Sequence, residues 1–257
     1  MIKAIIFDVD GTLADTEKAH LQAFNEAFID MNIRWRWSSE LYTELLKITG
    51  GKERLFYYWK HYETADFERH NQDLINTRIN LIHAKKTQIY TALIKNEGLP
   101  FRPGIQELIE TAHRQGIKLA IATTTTPRNV QALLETNLGS DWPIYFPIIE
   151  DASTAERKKP DPQAYLQAIS RLNEKAQDCI AIEDSENGLK AALAAGLSVV
   201  VTPTEFTRHQ NFEGATYCFT QLSSAPELLN AWKQISTTLI KRNRPCQSES
   251  TSHSLNT

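Results

Sequence analysis

The sequence predicts an α/β fold: a doubly wound, Rossmann-like parallel sheet with an all-α segment inserted near its beginning. Three observations carry this. Short, almost wholly apolar runs rich in β-branched residues recur along the chain, the pattern of strands buried on both faces. Amphipathic helical patterns separate the later runs, and strand alternating with helix implies parallel pairing through right-handed crossovers. The interval between the first two runs holds far more helical sequence than one crossover needs.

Residues 3–7 form the first strand and run straight into an acidic turn. Residues 16–98 then read as helical. Ala19, Ala23, Phe24, Ala27, Phe28 and Met31 mark one apolar face; residues 40–48 form a second helix closed by Gly50-Gly51, and residues 74–93 supply at least one more. Trp35, Trp37 and Trp59 are expected in the core of this segment. A helix at 105–114, with Ile105, Leu108, Ile109 and Ala112 on one side, leads to the second strand at 118–122. The third strand is expected at 144–149. Asp161 and Pro162 suit the N-cap and first position of a helix over 162–172. A fourth strand at 179–182, a helix at 187–195 ended by Gly196 and a fifth strand at 198–201 follow. The chain is therefore divided into an α/β core (1–15 and 99–241), a helical cap (16–98) and a polar tail (242–257) expected to be disordered. The cap leaves the sheet at the carboxyl end of the first strand, where open α/β sheets bind ligands.

Composition excludes several functions. Among 257 residues, 28 Lys+Arg face 31 Asp+Glu, and a net charge of −3 exerts no general pull toward nucleic acid or an anionic membrane. No apolar run approaches the ~20 residues of a membrane helix. Cys179, Cys218 and Cys246 are far apart and not spaced for a metal, which suits a reducing compartment. The expectation is a monomeric cytoplasmic protein, in a bacterial cytosol or an organelle stroma, acting on a small molecule.

The chemistry-bearing residues gather where strands end. Asp8-Val9-Asp10-Gly11-Thr12 places two carboxylates at the exit of a buried strand, which is unfavourable unless positive charge lies between them. An Asp-Gly turn is common by itself; an EF-hand loop is excluded, because the later ligand positions do not fit. The second strand ends in Thr123-Thr124-Thr125-Thr126-Pro127, hydroxyls and amides ahead of a helix, a natural phosphate cradle. Lys158-Lys159-Pro160-Asp161-Pro162 holds a cation before the next helix, and Glu183-Asp184-Ser185 is a second acidic pair at a strand end. Each has an ordinary reading as a turn, a cap or a solvated loop. Together they line one edge of one sheet.

In this order, the set resembles the haloacid dehalogenase superfamily of phosphotransferases, over nearly the whole of residues 1–241. Leu45-Leu46-Lys47-Ile48-Thr49-Gly50-Gly51-Lys52-Glu53-Arg54 resembles the cap signature of its CbbY-like phosphatases, relatives of β-phosphoglucomutase. Asp15-Thr16-Glu17, Ile82-His83-Ala84-Lys85-Lys86, Thr123 through Asn129, and Phe206-Thr207-Arg208-His209 are similar to that group as well. The chain departs from the pattern at Thr126-Pro127-Arg128, at Gln210 and in its tail. Known members of the group are xylulose-1,5-bisphosphate phosphatases, which remove an inhibitory by-product of Rubisco.

The resemblance implies a Mg²⁺-dependent phosphatase of a sugar bisphosphate. Asp8 is then the nucleophile, forming an aspartyl-phosphate, and Asp10 the acid–base residue. Thr123 and Lys159 hold the phosphoryl oxygens. Asp8, the main-chain carbonyl of Asp10, and Asp184 ligate the metal; Glu183 is either a further ligand or a structural hydrogen-bonding group. Lys52, Arg54, His83 and Lys86 provide the second anion site, Lys52 and Arg54 following the Gly50-Gly51 helix end, and Gly50, Gly51 and Glu53 belong to the substrate-binding set. Glu17 and Asn129 bond sugar hydroxyls, and Thr124 and Thr125 complete the binding set. Closure of the cap excludes water. A sugar phosphomutase on the same motifs and a non-catalytic phosphate-binding module are the alternatives.

Overall fold

The computed structural model describes residues 2–219 and Leu222. The chain enters through strand β1 (Ala4–Phe7) and passes into five helices: α1 (Glu17–Asp30), α2 (Ser39–Leu45), α3 (Gly51–Tyr62), the single turn α4 (Thr64–Phe67) and α5 (Gln72–Glu97). Helix and strand then alternate as α6 (Ile105–Arg114), β2 (Lys118–Ala122), α7 (Pro127–Leu138), the short α8 (Trp142–Tyr145) and β3 (Ile148–Glu150). The second half runs α9 (Gln163–Leu172), β4 (Cys179–Glu183), α10 (Glu186–Ala194), β5 (Ser198–Val201) and β6 (Tyr217–Cys218).

All the strand pairings are parallel, in the order β3-β2-β1-β4-β5-β6. The chain works outward from β1 through β2 to β3, then returns to lay β4 against the other side of β1. The order in which the chain adds strands therefore reverses between β1 and β4, and the crevice beyond their carboxyl ends is the topological switch point where such folds bind ligands. Ile5 and Phe7 pack into one apolar cluster with Leu108, Leu133 and Ile182; Ala4 and Ile6 pack into another with Tyr165, Ala168 and Val199. Both faces are covered, which is why the strands read as unbroken apolar runs.

The inserted helices bury an aromatic cluster of their own. Phe24, Phe28, Trp37, Tyr42 and Trp59 are all at most 1 % exposed, while Trp35 is half-buried at its edge. Trp37 stands 4.7 Å from Phe24 and 5.3 Å from Tyr58, centroid to centroid. Among the described residues no helix is long and apolar enough to cross a membrane.

Several boundaries differ from expectation, for local reasons. Residues 142–145 turn helical, and Pro147, without an amide to donate, delays β3 to Ile148–Glu150. Gly50-Gly51 closes no helix: α2 stops at Leu45, and Gly51 is the first residue of α3. α9 begins at Gln163, whose amide donates to Asp161 Oδ1 at 2.9 Å, so Pro162 takes the N-cap position expected of Asp161. α10 starts one residue early because Ser185 Oγ caps the Gly188 amide. β6, two residues long, carries no periodicity to read. The expected tail at 242–257, like most of residues 220–241, lies outside the described residues.

Trp37 tests whether the helical segment depends on its aromatic cluster. Trp37→Ala is expected to destabilise the protein by about 3–5 kcal/mol. Trp37→Phe should cost far less, because it also removes an indole N–H that has no partner among the described residues. Urea unfolding of both variants measures the difference.

Candidate active site

Four chain segments meet beyond the carboxyl ends of β1, β2 and β4. The Asp8 amide still donates to Ile182 O at 3.0 Å, continuing the β1–β4 ladder by one residue and fixing the Asp8 side chain at the switch point. Its Oδ1 accepts from Lys159 Nζ at 2.6 Å. The same ammonium donates to Glu183 Oε1 at 2.6 Å and to the Ala122 carbonyl at 2.8 Å, so its three protons join the ends of three adjacent strands. Burial opposes the charge on Lys159, but the carboxylates of Asp8 and Glu183 more than offset it and raise its pKa above the usual lysine value.

Asp8, Glu183 and Asp184 bring carboxylate oxygens within 4.8 Å of one another. One lysine does not neutralise three acids. Burial, partly countered by Lys159 and reinforced by the Glu183 carboxylate, raises the pKa of Asp8; burial and the charges of Asp8 and Glu183 raise that of Asp184. Gly11 lets this happen at close quarters: it has φ +81°, and a Cβ there would lie 2.2 Å from Asp184 Oδ2. Asp184 Oδ2 also accepts from Thr207 Oγ1 at 3.3 Å. The donors are hard oxygens with surplus negative charge, which fits a divalent cation such as Mg²⁺. Glu183 is engaged differently. It is wholly buried, accepting from Lys159 and from Tyr165 Oη (2.5 Å) through Oε1 and from the Asp184 amide (3.2 Å) through Oε2.

Asp10 leaves the turn toward the helical layer. Its Oδ1 accepts from Thr16 Oγ1 at 2.8 Å and from His20 Nε2 at 2.9 Å. His20 Nδ1 lies 2.6 Å from Lys86 Nζ, and its ring stacks on Tyr90 at 4.1 Å. With the lysine donating to Nδ1, the proton of a neutral His20 sits on Nε2 and points at Asp10. Burial would raise the pKa of Asp10, but His20, Thr16 and Lys86 together hold it below the usual carboxylate range. Burial takes Lys86 down to about 7, against the pull of Asp10 and with the push of Arg54.

Around this lies a cavity of about 580 Å³ between the two layers. Its wall includes Asp8, Asp10, Thr123, Thr124, Thr125, Asn129, Lys159 and Asp184 from the core side, and Glu17, Gly50, Gly51, Lys52, Glu53, Arg54, His83 and Lys86 from the helical side. Of the expected site residues only Glu183 stays behind the wall. Thr123 is held by its amide to Glu150 O (2.8 Å) and accepts from the Thr125 amide (3.3 Å). Asn129 donates to Thr125 Oγ1 at 3.0 Å, and its buried Oδ1 has no partner among the described residues. Thr126 Oγ1, one residue ahead of α7, is buried without a partner as well.

Two helical-side residues are placed differently from expectation. Lys52 and Arg54 lie in the first turn of α3, at its positive end. Arg54 is buried and closes the α2–α3 loop, donating to Leu45 O, Tyr42 Oη and Ile48 O at 3.1, 3.2 and 3.3 Å. Of five guanidinium protons, three are thus engaged before any phosphate arrives. Glu17 accepts from Tyr42 Oη at 2.7 Å. His83 packs so closely on Gly51 that a Cβ there would meet its Nε2 at 2.7 Å. Burial, with Lys86, Lys52 and Lys158 nearby, lowers its pKa to about 3 and keeps the ring neutral. Sequence reasoning missed His20, Tyr42, Lys158 and Tyr165. A signal existed for His20, a polar residue four before Phe24 and seven before Ala27 on an apolar helical face.

Residues 2–196 match the model of the haloacid dehalogenase-like hydrolase family. The chain is 51 % identical over 226 residues to Protein CbbY, plasmid, of Cupriavidus necator, covering 88 % of each chain. The crystal structure of a CbbY mutant from Rhodobacter sphaeroides in complex with xylulose-(1,5)bisphosphate superposes with a TM-score of 0.79 at 40 % identity, covering 87 % of this chain and 96 % of that one. A β-phosphoglucomutase from Clostridium difficile (TM-score 0.72, 23 % identity, covering 92 % of this chain and 100 % of that one) shares the fold.

Lys86 supplies a test of the buried network. Its pKa is lowered from 10.5 to about 7, so between those values the unfolded chain binds the proton that the folded one has released. Stability should therefore rise with pH from about 7 toward 10 through this residue. Lys86→Met is expected to flatten that rise and to raise the melting temperature near pH 6, as thermal melts across pH will show.

Proposed function

The chain belongs to the haloacid dehalogenase-like hydrolases, and we propose that within them it is a Mg²⁺-dependent phosphatase converting xylulose 1,5-bisphosphate to xylulose 5-phosphate. The observation that carries the proposal is one cavity with unlike walls: a carboxylate-and-lysine site at the sheet edge, and a wall bearing Lys52, Lys86 and the first turn of α3 opposite it. A doubly phosphorylated sugar matches both walls, one phosphate to each. The similarity to CbbY, and the bisphosphate bound by its Rhodobacter sphaeroides representative, supports the same reading.

In this reading the transferring phosphoryl group lies against Thr123, its neighbouring amides and Lys159. Lys159 fixes Asp8 Oδ1, while Oδ2 accepts no hydrogen bond from the described residues. Asp8 attacks phosphorus in line as the sugar–phosphate bond breaks, giving an aspartyl-phosphate and the sugar alkoxide. Asp10, ionised in the free site, takes up a proton as the substrate binds, gives it to the alkoxide and regains one from the water that cleaves the aspartyl-phosphate, releasing phosphate and restoring Asp8. Thr16 and His20 hold Asp10 in place for both steps. Asp8, the Asp10 carbonyl and Asp184 would hold the metal, which when bound offsets repulsion between nucleophile and phosphate. Glu183 works by positioning Lys159 and the Asp184 amide. Asn129 Oδ1, an acceptor lacking a donor, takes a sugar hydroxyl, as does Glu17. Residues 16–98 act as the cap, and the first turn of α3 with His83 receives the distal phosphate.

Phosphate release should be measured with Mg²⁺ on xylulose 1,5-bisphosphate, ribulose 1,5-bisphosphate, β-glucose 1-phosphate and phosphoglycolate. Xylulose 1,5-bisphosphate is expected to lead in kcat/KM; an isomeric sugar phosphate from β-glucose 1-phosphate, in place of inorganic phosphate, would instead mark a mutase. EDTA should stop turnover and added Mg²⁺ restore it. Asp8→Asn should reduce kcat by at least about a thousandfold with an unchanged circular dichroism spectrum. Lys52→Ala should lower kcat/KM about tenfold on the bisphosphate, the scale of ~1.4 kcal/mol, and leave monophosphates nearly untouched.

A further inference from the structure

Besides the packing of Phe206 on Tyr42, two polar contacts at the cavity rim tie the helical layer to the α/β layer away from the segments that connect them in sequence. Lys158 Nζ, on the loop ahead of α9, lies 2.6 Å from Glu53 Oε2 in the first turn of α3. Asn187 Nδ2, in the first turn of α10, donates to Thr49 Oγ1 at 2.8 Å and to the Lys47 carbonyl at 3.3 Å. The contacts on the hinge side are of another kind: Arg102 to Asp15, and Lys18 to Glu205, adjoin the connecting segments.

The anchors are not arbitrary. Lys158 immediately precedes Lys159, and Asn187 follows Asp184 by three residues, so each shares a loop or helix start with a catalytic-site side chain. Their partners bracket Gly50. That glycine has φ +98°, and a Cβ on it would lie 2.2 Å from Glu53 Oε2 and 2.5 Å from Lys158 Nζ. The ion pair therefore closes directly over the Gly50 backbone, and only glycine permits it. The pair also accounts for Glu53, a carboxylate in the wall of a cavity meant for anions. Unpaired, it would repel a phosphate beside Lys52; held by Lys158, it does not.

We propose that Lys158 and Asn187 are positioning residues that clasp residues 47–53 onto the sheet edge. The α3 cations then face the distal phosphate only while the loops carrying Lys159 and Asp184 are in place. This rests on the distal-phosphate reading above.

A charge-reversal cycle tests it. Lys158→Glu and Glu53→Lys each set like charges against one another and are expected to lower kcat/KM on xylulose 1,5-bisphosphate about tenfold. The double variant, with the pair restored in reverse, should recover most of that loss, and Lys158→Arg should lose little. Amide hydrogen exchange on the free protein supplies a readout that needs no substrate. Peptides spanning 47–55 and 185–190 should exchange faster in both single reversals and recover protection together in the double variant. Asn187→Ala should speed exchange over 47–55 as well. Losses that simply add in the double variant would overturn the clasp and identify Lys158 as a direct substrate contact; unchanged exchange in the single reversals would overturn it also. If the bisphosphate is not hydrolysed at all, the substrate reading fails, and the exchange pattern still decides the clasp.

Discussion

A single ammonium group organises the sheet edge. Lys159 has three protons and three acceptors: Asp8 after β1, Ala122 O at the end of β2 and Glu183 at the end of β4. Those strands are neighbours in the order β2-β1-β4, so the lysine crosses the switch point and draws both halves of the sheet to one point. A buried ammonium is tolerable only where it is fully hydrogen-bonded and paired with acid. Here that requirement and the placement of Asp8, the proposed nucleophile, are met by the same contacts. Tyr165 adds a fourth element, fixing Glu183 from α9 and lying 4.9 Å beneath the lysine.

Much of this edge is legible in sequence because its groups sit at strand ends, where one or two residues decide both position and chemistry. Asp8, Thr123, Lys159 and Asp184 each follow or adjoin a recognisable apolar run or helix start. The helical wall is harder to read. Arg54 reads as a phosphate-binding cation and does line the cavity, but its hold on the carbonyls of Leu45 and Ile48 follows from α2 stopping at Leu45. No periodicity reveals where a helix will release its last carbonyls. His20 lay within a readable pattern and was hidden by its own amphipathic face, since a polar residue among Ala23, Phe24 and Ala27 reads as noise until Asp10 is seen beside it. Lys158 and Asn187 make contacts spanning 105 and 140 residues, which no local rule anticipates.

The two walls of the cavity carry opposite strain. On the sheet side, carboxylates crowd one another, and the pKa values of Asp8 and Asp184 rise. On the helical side, cations crowd and lose water, and Lys86 falls to about 7 while His83 stays neutral. Each wall disfavours its own charge. In the proposed reading, a divalent cation relieves the first and a phosphate the second. The ligands are thereby selected by what the empty walls lack.

The same opposition bears on closure. Layers with surplus negative and positive charge attract across the cavity, yet direct contact would bury those charges in pairs and fill the space a sugar needs. The layers have separate, self-neutral contacts at the rim, Glu53 with Lys158 and Asn187 with Thr49, while Asp10 reaches across the middle to His20. In the clasp proposed above, the rim contacts set the distance between the walls, and the charges inside remain available. In the proposed reading, a bisphosphate is preferred to a monophosphate for an electrostatic reason rather than one of size. In that reading the second phosphate is the one that reaches the cations the helical layer holds apart from the acids of the sheet.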